Sequence, residues 1–216
     1  MRLYLLIKRL LDLCFTLLSF LILWPVLLLV ALWIRIDSPG PVLFRQTRIG
    51  KDEKPFSILK FRTMYVQAPP SVATAELSDA FRYITRAGRI LRKASLDELP
   101  QLINILRGEM SLIGPRPLVP EEKEIHTLRA ALGVYRVLPG ITGWAQVNGR
   151  DCLDPPTKAA LDAYYADHVS FVLDAKVMFF SLLCVITARG IQEGNGTYED
   201  DVVEKRSNGK KSSKVG

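Results

Sequence analysis

LCFTLLSFLILWPVLLLVALWI, residues 13–34, carries no charged side chain across 22 positions. At about 1.5 Å per residue, a helix over this run reaches roughly 33 Å, enough to cross the hydrocarbon core of a bilayer. The run is too long for the apolar part of a cleavable leader, and Arg35 follows it with no small-residue cleavage site. Two topologies are open: a single crossing, or a hairpin that enters and leaves by the same face. Pro25 falls near the midpoint, where it removes one backbone hydrogen bond and bends a helix. Arg2, Lys8 and Arg9 precede the run, and Arg35, Arg45, Arg48, Lys51 and Lys54 follow it. Basic flanks resist translocation, so both ends prefer the cytoplasmic side. A helix broken at Pro25 satisfies both flanks and is favoured, although proline is also tolerated in helices that cross.

Outside this run the chain has the composition of a folded domain. Of 216 residues, 49% are apolar and 24% charged, which excludes disordered and fibrous classes. The net charge of +7 favours anionic partners: nucleic acid, anionic lipid head groups or phosphorylated substrates. Cys14, Cys152 and Cys184 lie far apart, which excludes a disulfide framework and a cysteine-based zinc site. His126 and His168 are isolated, so a histidine metal cluster is not expected either.

The expected fold class is α+β and mainly helical. Alternating patterns at 42–48 and 56–62 flank a turn-like Gly50-Lys51-Asp52-Glu53 and predict a β-hairpin. Residues 66–80, rich in Ala, Ser and Pro, read as a loop or short helix. Helices are expected at 81–93, 95–107, 118–131, 157–167 and 171–188, with rigid turns at 114–117 and 139–143. The apolar stretch within 171–188 is too short to span, and suits a core helix or one lying in the interface plane. The chain thus divides into a membrane helix-break-helix at 1–36, one compact cytosolic domain at 37–193, and a polar, disordered tail at 194–216.

The densest chemical cluster is Ser95-Leu96-Asp97-Glu98-Leu99-Pro100-Gln101. Ser95 and Glu98 have the spacing of a capping box, and acids suit a helix N-terminus. Pro100 weakens that reading, because it lacks the N–H a helix would use there. The other reading is an adjacent carboxylate pair: one oxygen attacks phosphorus or binds metal, and its neighbour serves as ligand or base. Work on phosphate needs cations. Lys60 and Arg62 alternate on one face of the second strand, Arg92 lies five residues before Asp97, prolines bracket Arg116, and Arg150 follows Asn148-Gly149. Arginine grips phosphate oxygens with a fork, and lysine acts as a point charge. Gly-rich phosphate loops of the P-loop or Rossmann type are absent.

The succession KRLLDL (8–13), the Pro-interrupted apolar helix, FRQTRIG (44–50), ILKFRTM (58–64), SLDELPQLINILRGEMSLIGPRP (95–117) and LPGITGWAQVNGR (138–150) resembles the bacterial sugar transferase family. These are small monotopic polyprenol-phosphate phosphoglycosyl transferases. The resemblance covers about residues 1–190, and its long central motif is highly specific. It implies a re-entrant membrane helix broken at Pro25, a cytosolic domain with interfacial helices, and a place on the cytoplasmic face of a bacterial inner membrane. It implies transfer of a hexose 1-phosphate from a UDP-sugar to a polyprenyl phosphate, with Mg2+, release of UMP, and initiation of a surface glycan. By this resemblance Asp97 is the nucleophile that forms an aspartyl-phosphate, Glu98 is its partner, and both are metal ligands. Lys60, Arg62, Arg92, Arg116 and Arg150 then hold phosphates or nucleotide. The partners implied are UDP-sugar, polyprenyl phosphate and membrane lipid, without nucleic acid; a homodimer is allowed but not demanded. In one departure, Trp24 precedes Pro25 where many relatives carry Ser, and the nearest hydroxyls are Ser19 and Thr16. A rival class, a non-enzymatic basic membrane-anchored adaptor, explains charge and anchor but not the Asp-Glu pair.

Overall fold

In a computed structural model that describes residues 2–68, 80–149 and 153–187, the apolar run lies inside one 36-residue helix, α1 (Arg2–Asp37). Leucine, which is not branched at Cβ, dominates the run and favours that helix. The break expected at Pro25 does not interrupt it: the residues on both sides of Pro25 stay helical. Proline's fixed φ is compatible with a helix, and only one N–H is forfeited. Trp24 is exposed, whereas Thr16 is fully buried with its hydroxyl unpartnered.

One stripe of α1 packs on the rest of the molecule along much of its length. Asp12 accepts hydrogen bonds from the Ser111 hydroxyl at 2.7 Å and the Leu112 amide at 3.3 Å. Phe20 meets Ile58, Leu102 and Ile105, and Val30 and Ile34 pack with Phe61 and Leu91. At the end of the helix, Asp37 accepts from the Ala87 amide at 3.0 Å. The outer face exposes Leu3, Leu21, Trp24, Leu29, Leu32 and Ile36. An exposed apolar face of this extent marks a membrane or partner surface, and α1 is long and apolar enough to cross a membrane.

The hairpin is present as β1 (Leu43–Ile49) and β2 (Pro55–Phe61), antiparallel with Phe44 opposite Lys60 and Arg48 opposite Phe56. The helix expected at 81–93 is two pieces, α2 (Ala80–Tyr83) and α3 (Arg86–Lys93). Between them Ile84 bridges to Met64, and Thr85 caps α3 by accepting from the Gly88 amide at 2.9 Å. Gly88 is required here, because a Cβ would sit 2.0 Å from the Thr63 carbonyl oxygen. The helix expected at 95–107 is also divided, into a 3-10 turn at Leu96–Glu98 and α4 (Gln101–Leu106). Ser95 is left-handed with φ 54° and makes no capping bond, so the capping box does not form.

Two short parallel strands were not expected: β3 (Ser111–Ile113) just precedes the turn read at 114–117, and β4 (Gly140–Thr142) lies within the one read at 139–143. They approach so closely that a Cβ on Gly140 would sit 2.1 Å from the Gly114 nitrogen. Around them lie α5 (Lys123–Ala131), α6 (Trp144–Val147), α7 (Pro155–Asp167) and α8 (Phe171–Thr187). α5 starts later than expected. α7 starts at Pro155, capped by Asp154, which accepts from the Thr157 amide. α8 buries Leu173 and Val177 but exposes Phe171, Val172, Phe179 and Leu182. Asp174 ties it to α1, accepting from the Tyr4 hydroxyl at 2.6 Å and from Lys8 at 2.8 Å. The loop reading at 66–80 falls mainly, and the tail from 194 entirely, outside the described residues.

Candidate active site

The left-handed Ser95 turns the chain sharply at the end of α3, so the following 3-10 turn presents two successive carboxylates beside β2. Glu98 Oε1 accepts from Lys60 Nζ at 2.7 Å and from Arg116 Nη2 at 3.1 Å. Lys60 stands on β2, held in register opposite Phe44. Asp97 lies beside the same charges, with Lys60, Arg92 and Arg116 as its cationic neighbours. Arg92, from the last turn of α3, also donates through Nε to the Thr63 hydroxyl at 2.9 Å. Four sequence-chosen residues therefore converge on Asp97: Glu98, Lys60, Arg92 and Arg116.

The two carboxyls are treated oppositely. Burial raises the Asp97 carboxyl above the ordinary aspartate range; Glu98 adds to the rise, and Lys60, Arg92 and Arg116 only partly oppose it. Burial alone would raise Glu98 too, but the charges and hydrogen bonds of Lys60 and Arg116 overrule it and hold this carboxyl well below the usual range. Adjacent titratable groups driven apart by their surroundings are suited to different roles. Glu98 stays a fixed anion that orders two cations. Asp97 is the carboxylate with less compensation.

Arg62 does not join the cluster. Its guanidinium donates to the Ser38 carbonyl at 2.7 Å, the Ser38 hydroxyl at 2.8 Å and the Pro39 carbonyl at 3.0 Å. It secures the segment leaving α1 rather than facing Asp97. Arg150 lies outside the described residues.

The sequence profile described as bacterial sugar transferase matches residues 3–188, a span that contains the entire cluster. The chain belongs to the bacterial sugar transferase family. It is 40% identical to an uncharacterized sugar transferase, EpsL, of Bacillus subtilis (strain 168), over 88% of this chain and 92% of that protein. It is 43% identical to an undecaprenyl-phosphate glucose phosphotransferase of Komagataeibacter xylinus, over 84% of this chain but 36% of that one. Against the UDP-glucose:undecaprenyl-phosphate glucose-1-phosphate transferase of Escherichia coli (strain K12) the identity is 41%, over 82% and 39%. The chain thus spans little more than a third of the two longer relatives.

In this sugar transferase the aim of Arg116 comes from residues that the sequence did not single out. Four successive carbonyls around it are all occupied. Gly140 N donates to Pro115 O at 3.0 Å, Arg129 Nη1 to Arg116 O at 2.9 Å, Arg48 Nη1 to Pro117 O at 3.3 Å, and Ile49 N to Leu118 O at 3.0 Å. Pro115 and Pro117 fix φ on either side. Arg129 is buried and paired at 2.5 Å with Asp162, from α7, which is equally buried. Arg48 also feels the charges of Arg116 and Glu98. The available sequence signal was the i, i+4 pair Ile125 and Arg129, both buried on one face of α5.

Among the described residues, no group of three His, Cys, Asp or Glu side chains gathers to hold a metal. Two adjacent carboxylates nevertheless suit Mg2+, which takes one or two protein carboxylates and completes its shell with water and phosphate oxygens. Because Glu98 Oε1 already accepts from two cations, Asp97 and the other Glu98 oxygen are the ligands on offer.

Proposed function

We propose that this protein transfers a hexose 1-phosphate from a UDP-sugar to a membrane polyprenyl phosphate of the undecaprenyl type, releasing UMP and starting a bacterial surface glycan. The observation that carries this reading is the adjacent Asp97 and Glu98, with three cations around them and opposite pKa displacements. Family membership and the activities named for the longer relatives support the same reaction. A basic adaptor would have no use for a partly buried carboxylate pair ringed by three cations, one of them on a braced loop.

In the first step, an Asp97 carboxylate oxygen attacks the phosphorus attached to the sugar. The P–O bond to UMP breaks, and UMP leaves with the bonding pair, giving an acyl phosphate that joins the sugar phosphate to Asp97. In the second step, a phosphate oxygen of the polyprenyl phosphate attacks the same phosphorus, and the Asp97 carboxylate is released. Covalent catalysis of this kind divides one displacement into two, so donor and acceptor need not be bound together. Lys60, Arg92 and Arg116 offset charge on the phosphoryl oxygens, and Arg116 supplies a fork suited to two of them. Glu98 keeps Lys60 and Arg116 in place between turnovers. Mg2+, held by Asp97 and Glu98 with the donor's phosphates, would add Lewis-acid stabilisation of the pyrophosphate.

The membrane arrangement follows from the same substrates. The donor is water-soluble and highly charged, whereas the acceptor's phosphate sits at head-group level. We place both ends of α1 on the cytoplasmic side of the inner membrane, the helix entering and leaving by one face through a bend at Pro25 that keeps its backbone helical. The bonds of Asp12 to Ser111 and of Asp37 to Ala87 support this, since one domain grips α1 near both ends. The reaction is tested by a UMP-release screen across UDP-sugars with polyprenyl phosphate. Release beyond one equivalent with at least one sugar, dependent on the acceptor, is expected; none across the panel would refute the reading.

A further inference from the structure

A pocket of about 190 Å³ opens between the first three turns of α1 and the turns at Lys51–Glu53 and Val134–Arg136. It is separate from the carboxylate cluster: Asp97 precedes the start of α4, whereas Arg9 reaches the carbonyl of Leu106 at its end. Four lining side chains are basic: Lys8, Arg9, Lys51 and Arg136. The acid in the lining, Asp12, is already engaged by Ser111 and Leu112. Lys8 and Arg136 have carboxylate partners in Asp174 and Asp167. Arg9 does not: Nη2 makes one long bond of 3.4 Å to Leu106, and Nη1 is buried with no acceptor. Lys51 has no carboxylate within 4 Å among the described residues.

A buried guanidinium nitrogen without an acceptor is costly, and native proteins rarely leave one so. An anionic oxygen ligand would supply the missing acceptor and match the basic lining. On the flanks of the same helical segment, Leu6 and Leu10 are exposed, at 71% and 63%. A ligand seated here therefore meets cations with its head and an apolar helix face beside it.

We propose that this pocket binds the phosphodiester head group of an anionic phospholipid, with Arg9 as principal contact and Lys51 as second. The head group fixes the start of α1 at the depth where Lys8 and Arg9 meet phosphates, while the acyl chains lie along the Leu6 and Leu10 face. The inference rests on the membrane seating of α1 and not on the transfer chemistry.

Native mass spectrometry of the full chain tests it, with phosphatidylglycerol and phosphatidylcholine added in equal amounts. At least tenfold preferential retention of phosphatidylglycerol is expected. Arg9→Gln should bring the two lipids to near parity. Lys51→Gln, on an exposed turn that any polar side chain tolerates, should weaken retention about threefold while leaving donor-dependent UMP release within twofold. Equal retention of the two lipids by the wild type would overturn the proposal, as would wild-type preference in both variants. Two competition arms separate the sources of phosphate. Displacement of phosphatidylglycerol by an equimolar amount of polyprenyl phosphate, or of inorganic phosphate, would overturn the phospholipid assignment; retention against both supports it.

Discussion

Lys60 Nζ lies 2.7 Å from Glu98 Oε1, and this contact joins the strand β2 to the turn that carries Asp97. It keeps Glu98 ionised and leaves Asp97 as the carboxyl whose charge is sensitive to its neighbours.

The pH dependence follows in sign. The Asp97 carboxyl is raised, and attack needs the carboxylate, so UMP release with donor alone should decline as pH falls through that raised value. Lys60→Gln removes an opposing cation and should move the acid limb to higher pH. Glu98→Gln removes a neighbouring anion and should move it to lower pH. The depressed Glu98 has the opposite linkage. It contributes stability above the ordinary glutamate value of about 4.3, lost as pH falls toward its folded value. The acid side of a Tm-versus-pH curve should therefore be flatter for Glu98→Gln.

Arg116→Lys keeps charge but loses the fork. A loss of at least tenfold in turnover is expected, about 1.4 kcal/mol in the barrier. Steady-state UMP release measures it, and near-normal turnover would return Arg116 to the role of a solvated charge.

Arg129→Met leaves Asp162 buried without its partner, which should cost about 3–5 kcal/mol. The double variant Arg129→Met/Asp162→Leu should recover much of that in thermal unfolding. It should not recover activity, because the Arg116 carbonyl still lacks its donor and the guanidinium loses its aim.

The hairpin was legible because alternation over seven residues is a strong local signal, and the apolar run announced α1 by length alone. The carboxylate pair was legible as adjacent acids just ahead of Pro100, Lys60 through strand alternation, Arg92 through its place five residues before Asp97, and Arg116 through the prolines on either side. Other features are set by distant contacts. Ser95 adopts a left-handed conformation that no local pattern requires, and with Pro100 it divides an apparently continuous helix. β3 and β4 are three residues each and are specified by close backbone approach at Gly114 and Gly140. Alternation placed Arg62 with Lys60, but a long side chain leaves its strand face, and Ser38 offered it two acceptors. Arg48, Arg129 and Asp162 act on a loop far from them in sequence, so periodicity could mark their burial but not their target.

The topology of α1 is open to direct labelling. With the native cysteines replaced, Leu3→Cys and Lys54→Cys should both be protected from an impermeant reagent added to the periplasmic side. Labelling of residue 3 alone would mean a full crossing. Pro25→Leu should shift a fraction of molecules toward that state.

The central claim is that Asp97 becomes covalently bound to the sugar phosphate. Wild-type protein with donor alone should release up to one equivalent of UMP and gain the mass of a hexose phosphate on the peptide containing Asp97. Asp97→Asn should fold and associate with membranes yet gain nothing, because an amide oxygen is a poor nucleophile. Intact-protein and peptide mass spectrometry after rapid quench decides the matter. The added mass in wild type and its loss in Asp97→Asn is the expected result. Its persistence in Asp97→Asn, or its absence from wild type while turnover proceeds, would contradict the account and favour direct transfer between the two substrates.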